Sequence, residues 1–330
     1  MITNLILFAL SHNRKVVLMD MTNTPTYIYE ELKRRNVPVE ILHEPSTLMQ
    51  YKHKGKWHYL IGCLTEDASL IGSMICNKKY QTEMFASKVG LPVPKSTLYR
   101  DEQQALEFIR ECGQPIVVKP IDSAGGSGIT MNVSSKTSLR KAIAAAKKAS
   151  RSRPMLQETV QGDDLRILVI GGKYAGAVRR VPAMVVGDGK HTVEKLIEIE
   201  NSKDHRSKGK SGKLKIISIK GAQAFLRRRI GRIPQEGEVV KVVGVSNTSM
   251  GGHAEDATDD VPTDIRRKAE KFARLLKLPA CGIDIMMQKD GTYHFIEANA
   301  RPGFGPHHHP RVGKERNVTK IFVDYLLRDN

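Results

Sequence analysis

Asp284, Glu297 and Asn299 are the residues of this chain whose types and spacing are best suited to chemistry. The run Cys281-Gly-Ile-Asp-Ile-Met-Met leads through Gln288-Lys-Asp-Gly into Thr292-Tyr-His-Phe-Ile-Glu-Ala-Asn. Two apolar-rich runs joined by Asp290-Gly291 carry a strong hairpin signal. A two-residue turn at 290 and 291 makes Asp284 and Glu297 direct cross-strand partners, and Asn299 joins their face through the period of two. The same register sets Ile283 and Ile285 against Ala298 and Ile296 on an apolar opposite face. Carboxylates directly opposed across a sheet repel, and a hard divalent cation between them removes that penalty. Asp, Glu and Asn oxygens suit magnesium carried by nucleotide phosphates. The hairpin alone leaves open a plainer reading, in which two surface acids are neutralised by some of the many lysines and arginines.

A second candidate is Val117-Val-Lys-Pro-Ile-Asp-Ser-Ala-Gly-Gly-Ser-Gly-Ile-Thr. Glycines let backbone N–H groups approach and cradle phosphate oxygens, and Lys119 at the preceding strand end adds a point charge. The pattern GxxxxGK[ST] is absent, and a strand rather than a helix follows, so neither a P-loop nor a dinucleotide fingerprint is indicated. A tight connection without ligand remains the alternative. The third cluster is Leu156-Gln-Glu-Thr-Val-Gln-Gly-Asp-Asp-Leu-Arg-Ile, where an apolar strand end could hold a purine and a carboxylate beyond it a ribose. Arg166, Arg179 and Arg180 follow on two expected strands flanking a Gly171-Gly172 hairpin, and arginines buried there need anions.

The elements that must position these residues read as mixed α and β. A strand is expected at 15–20, a helix at 25–35 and a second strand from Val37 to Leu42, and the apolar start Leu5 to Leu10 reads as a buried element rather than a signal or anchor. The order then runs helix (78–90), helix (102–110), strand (115–119), Gly-rich loop, strand (129–133), helix (137–150) and strand (155–160), with further strands from Asp163 and a final helix over 319–327. The tract 203–213 is the one disorder-prone stretch.

At 330 residues, 40% hydrophobic and 27% charged, the chain has the composition of an ordinary globular protein with room for two or three compact units. Four scattered cysteines indicate neither a disulfide framework nor a zinc site, which points to a reducing cytoplasm. A formal charge of +18 favours anionic substrates. No nucleic-acid signature accompanies it, so nucleic acid is not the expected partner, and no membrane segment is expected.

Taken in order, these features resemble the ATP-grasp superfamily, most closely the ATP-grasp module of cyanophycin synthetases and bifunctional glutathione synthetases. The resemblance is carried by Val185-Val-Gly-Asp-Gly-Lys-His-Thr-Val-Glu-Lys-Leu-Ile, Ser249-Met-Gly-Gly-His-Ala-Glu-Asp-Ala-Thr-Asp, Gly282-Ile-Asp-Ile and Glu297-Ala-Asn-Ala-Arg-Pro-Gly-Phe. It implies an α/β (α+β) fold in three parts: an N-terminal unit over 1–76, a lid subdomain over 77–162 and a catalytic, metal-binding subdomain over 163–330, with ATP clasped between the last two.

By position, the resemblance makes Lys79 (with Lys78 as its neighbouring alternative) and Lys119 the nucleotide lysines. Ser123, Gly125, Gly126, Ser127 and Gly128 become the phosphate lid; Gln157, Glu158, Thr159 and Val160 frame adenine; Asp164 lies near the ribose. Asp284, Glu297 and Asn299 hold magnesium, with manganese as a substitute, and Arg166, Arg180 and Arg301 face the transferred phosphate and acyl group. The implied activity is a carboxylate-amine ligase, joining an amino acid or acidic peptide through an acyl phosphate. A kinase using the same nucleotide site, and a polyanion binder with a degenerate one, are the alternatives. A homodimer or higher homo-oligomer is compatible with the resemblance. His307-His-His-Pro reads as a substrate-lining or plain surface loop, because three adjacent side chains on an extended chain cannot converge on one ion.

Overall fold

The computed structural model describes residues 24–122, 127–207, 214–244 and 250–328. The expected strand at 15–20, the apolar start and the lid positions Ser123, Gly125 and Gly126 lie outside these residues.

The first unit joins helix α1 (Thr24–Arg34) to an antiparallel sheet of β1 (Val39–His43), β2 (Leu48–His53), β3 (Lys56–Ile61) and β4 (Leu64–Thr65), in that order, and ends in α2 (Leu70–Cys76). Alternation sets one face of the sheet: Met49, Tyr51 and Leu60 are buried with Ile28 and Leu32 of α1. The other face carries Trp57, Tyr59 and Ile61, all more than a third exposed.

Helix α3 (Lys79–Lys88) leads to a second antiparallel sheet. Its strands are β5 (Ser96–Leu98), β6 (Ile116–Pro120), β7 (Thr130–Val133) and β8 (Pro154–Glu158), in the order β5-β8-β6-β7, with α4 (Glu102–Cys112) and α5 (Lys136–Ala149) between them in sequence. The helix ends are written locally. Asp101 accepts from the Gln104 N–H at 2.8 Å to start α4, Gly113 in the left-handed region ends it, and Ser135 with Ser138 forms a capping box on α5. Phe108, Leu139 and Ile143 cover Val118 and Val133 to form this unit's core.

The remaining chain builds a five-stranded antiparallel sheet, β15-β10-β9-β16-β17. In chain order its elements are β9 (Asp163–Ile170), β10 (Lys173–Val181), β11 (Met184–Val186), α6 (Val193–Asn201), β12 (Arg206–Ser207), β13 (Leu214–Lys215), α7 (Ile219–Leu226), β14 (Val239–Lys241), β15 (His253–Asp256), α8 (Thr263–Leu275), β16 (Ala280–Met287), β17 (Tyr293–Asn299), α9 (Gly305–His308) and α10 (Val318–Leu326). One sheet face packs Leu165, Ile167, Ile283, Ile285 and Phe295 against Phe272 of α8. At one end of the other face, Leu168 and Ile170 join Phe304, α10 and the first unit in a common core. At the other end that face is polar.

Two boundaries differ from those expected. Ala86 and Val89 bury against the five-stranded sheet, so α3 packs with the third unit although its sequence precedes the lid. Residues 183–243 also hold a core of their own, with Val185, Ile197, Leu226 and Val240 buried around the β11–β14 pair. That inserted unit has no separate signature in the sequence, because its short strands carry too few residues for a period to emerge. Among the described residues, no helix is long and apolar enough to cross a membrane.

Candidate active site

The polar end of the five-stranded sheet gathers residues from four strands. Asp164 and Arg166 come from β9, Arg180 from β10, Asp284 from β16, and Glu297 with Asn299 from β17. Asp284 is directly opposite both Glu297 and Arg166, and Arg180 is opposite Asp164.

The Asp284–Glu297 pairing arises differently from the expected two-residue turn. Gln288 and Thr292 close the hairpin around three residues, 289–291, with Gly291 at φ +86. This turn alone would shift the ladder by one, and Ile285 indeed faces Phe295, not Ile296. A bulge at Ile296 restores the register, so Ile283, Asp284 and Gly282 face Ala298, Glu297 and Asn299. Packing supplies the reason: Phe295 is fully buried with its ring 5.4 Å from that of Phe272, and its N–H donates to the Pro92 carbonyl at 2.7 Å. The core takes phenylalanine and leaves isoleucine as the extra residue.

Asp284 is buried, not a surface acid. Arg166 donates to both of its oxygens, and Nη2 of Arg180 donates to Oδ2 at 2.9 Å. Burial pushes this carboxyl up, yet the two guanidinium groups outweigh it and hold Asp284 below the usual range. Asp164 accepts from Arg180 at 2.6 Å, and burial together with the Asp284 charge raises it to about 6 against the pull of Arg180. Of the two, Asp164 is the first to take a proton. It sits in this inner cluster, joined to Arg180. Arg179 points elsewhere, toward Asp163, Glu255 and Asp260.

Glu297 faces Lys79, one of the lysines expected to meet the nucleotide. Lys79 Nζ lies 3.6 Å from Glu297 Oε2, whereas Lys78 Nζ pairs with Asp122 at 2.8 Å. Lys119 is buried and donates to Gln157 Oε1 at 2.8 Å, and Gln157 in turn donates to Glu83. Desolvation lowers Lys119 to about 8, aided by Lys79 and opposed by Glu83. The Gln157 side chain is thereby occupied in orienting Lys119. Glu158 accepts from the Lys95 N–H at 3.0 Å and Thr159 donates to the Pro115 carbonyl, which leaves Val160 as the partly exposed end of the expected adenine frame. Glu83 was not apparent as a site residue; its place three residues after Tyr80 on α3 gives no local signal, and only the meeting of α3 with β8 reveals it.

At the described edge of the Gly-rich loop, Gly128 has φ +72, and a Cβ there would lie 2.6 Å from the Ala149 Cβ and 2.9 Å from Pro120. Ser127 is exposed beside it. Arg301, two residues past Asn299, is exposed and forms no ion pair among the described residues.

His307 does not belong to a plain surface loop, one of the two alternatives expected for this stretch. It is 1% exposed, both ring nitrogens lack partners among the described residues, and burial beside Arg166 lowers it to about 3. His308 is half-buried, bonded to Thr319 at 2.6 Å with its ring 4.8 Å from that of Tyr27. Helix α9 turns the three imidazoles in different directions.

Asp284, Glu297 and Asn299 fit a hard cation by their oxygens, and Asn299 has a buried amide nitrogen without a partner. An amide group turned over would present its carbonyl oxygen at that point. Among the described residues, no three His, Cys, Asp or Glu side chains form a metal cluster. The set that fits is the mixed carboxylate and amide one.

Comparison with known proteins accords with this geometry. Residues 82–198 match the family described as prokaryotic glutathione synthetase, ATP-grasp domain. The cyanophycin synthetase of Geminocystis herdmanii is 31% identical over 92% of this chain, which spans 36% of that protein. The glutathione biosynthesis bifunctional protein of Enterococcus faecalis is 27% identical over 92% of the chain and 42% of its own length. The chain thus spans well under half the length of these curated relatives. A crystal structure of a bifunctional glutathione synthetase from Pasteurella multocida superposes with a TM-score of 0.66 at 25% identity, covering 93% of this chain and 44% of that one. By fold, by family model and by its relatives, the chain carries an ATP-grasp module similar to those of cyanophycin synthetases and bifunctional glutathione synthetases.

Proposed function

We propose that the chain is an ATP-dependent carboxylate-amine ligase that joins an amino acid or peptide to an amine and releases ADP and phosphate. The observation that carries this reading is the meeting of Glu297 with Lys79 on one side and Asp284 on the other, at the sheet end where Arg166 and Arg180 converge. ATP would lie between the lid sheet, which brings Lys119, and the five-stranded sheet, against which α3 with Lys79 also packs.

A substrate carboxylate attacking the γ-phosphate gives an acyl phosphate, and an amine then displaces the phosphate from the activated carbonyl. Lys79 and Lys119 would hold the phosphates, with Gln157 and Glu83 fixing the Lys119 ammonium. Asp284, Glu297 and Asn299 would hold magnesium, or manganese in its place, whose charge offsets that spread over the equatorial oxygens. Arg166 and Arg180, already tied to Asp284, supply fixed positive charge beside the same point. No covalent enzyme nucleophile is needed. Four unpaired cysteines agree with the cytoplasm as the place of work, and the +18 charge with an acidic peptide as acceptor.

The test is ADP and phosphate release from Mg-ATP against a panel of carboxylates, with hydroxylamine as trap. Carboxylate-dependent release with hydroxamate formation is the expected result. ADP with a stable phosphorylated product and no hydroxamate would make the protein a kinase, and no ADP under any condition would sink both.

A further inference from the structure

Arg301 stands at the mouth of an apolar cavity that the nucleotide chemistry does not use. A cavity of about 400 Å³ lies between the outer face of the first sheet and α2, lined by Leu48, Tyr59, Ile61, Leu64 and Leu70 together with Arg301. Period-two alternation explains the lining: Leu48 pairs with Ile61, and Ile61 with Leu64, on the face turned away from the α1 core. Leu70 is 73% exposed at the start of α2. Gly62, in the turn between β3 and β4, packs beside the Arg301 stem, whose Cδ is 3.7 Å from where a Cβ would stand.

The cation and the cavity have different wants. Arg166 and Arg180 are committed to Asp284 and Asp164, whereas Arg301 has no ion pair among the described residues. It follows Asn299 by two residues, so its base is fixed at the catalytic end of β17. A guanidinium there suits a carboxylate, and a largely apolar pocket beside it suits an apolar group on the same ligand. An acidic side chain would lose water against Leu, Ile and Tyr, with no second cation among the lining residues to receive its charge. It would also meet Glu66, which lines the cavity and is held by His58 Nδ1 at 2.7 Å and the Tyr59 N–H.

We propose that this cavity selects the acyl donor, and that the donor is an α-carboxylate with an aliphatic or aromatic side chain, of the leucine, methionine or phenylalanine kind. The inference rests on the ligase reading for its chemistry, but the pocket's ligand can be measured without turnover. The positive field then concerns the amine acceptor, a separate partner.

Titration calorimetry measures binding at this cavity without turnover. The full chain is titrated with L-leucine, L-alanine, L-aspartate and L-glutamate, and the same compounds are then offered with Mg-ATP and hydroxylamine. L-Leucine is expected to bind at least about tenfold more tightly than L-alanine, from the methylenes buried, and more tightly than either acid. Leu70→Asp, at an exposed position that spares the fold, should abolish the preference, and Arg301→Met should weaken every carboxylate. Equal binding of all four, preference for the acids, or leucine binding unchanged in Leu70→Asp would overturn the inference. Hydroxamate from aspartate alone would overturn it too, while leaving the ligase reading intact. Leucine bound through Leu70 while no carboxylate of the panel gives hydroxamate would support the pocket and sink the ligase reading.

Discussion

Lys119 on β6 and Gln157 on β8 hold each other across the lid sheet, the ammonium donating to the side-chain amide oxygen at 2.8 Å in a site closed to water. The pair fixes the direction of a buried cation, which under the proposed function would meet the nucleotide phosphates. Lys119→Ala should lower turnover by on the order of a hundredfold to a thousandfold, and Gln157→Leu should raise the KM for ATP, because the ammonium loses its fixed direction. Steady-state kinetics on both variants checks this.

The same lysine gives a pH dependence. Its folded value of about 8 lies below its ordinary 10.5, so between these the unfolded chain binds more protons and stability from this group rises with pH. Below about pH 8 the cost of burying the charge is present in full. The gap in thermal midpoint between Lys119→Met and the parent should therefore narrow from pH 8 to pH 10. Phosphate beside the ammonium favours its charged form, so ATP binding near pH 8 should take up protons, visible by calorimetry in buffers of different ionisation enthalpy.

Two carboxylates on the same face should respond in opposite ways to removal. The Glu297 side chain is 31% exposed with its lysine 3.6 Å away, so Glu297→Ala should abolish turnover while leaving the unfolding midpoint nearly unchanged. Asp284→Ala strands Arg166 and Arg180 without their common counter-charge and should cost about 3–5 kcal/mol of stability. Denaturant titration separates the two; equal losses of stability would refute the difference in role.

His307 sets an acid limit. Its folded value of about 3 lies far below the ordinary 6.5, so the unfolded chain takes up the proton first and stability falls as pH drops from about 6.5 to about 3. His308, lowered to about 4, adds to the same loss. His307→Gln should flatten part of this slope, measured as unfolding free energy between pH 7 and pH 4.

Much of this arrangement was legible in the sequence because it depends on short-range pattern. Asp290-Gly291 announced the hairpin, and Gly171-Gly172 the strand pair that carries Arg166 and Arg180. The long-range choices were not legible. Nothing local says that Glu83 reaches Gln157 across two units, that α3 packs with the five-stranded sheet, or that His307 turns inward. The hairpin register was reached through a turn one residue too short and a strand drawn without its bulge, two departures that cancel at Asp284 and Glu297 and differ everywhere between.

That cancellation has a consequence for the hairpin as a mechanical part. Deleting Ile296 would leave Phe295 opposite Ile285 and Glu297 opposite Asp284, the same partners on the same faces, with a flatter ribbon. The residue is thus dispensable to connectivity and matters for twist alone. The angle at which Glu297 and Asn299 would be offered to a metal is set by an uncharged neighbour, so the tilt of the proposed site can be altered without touching any group assigned to its chemistry.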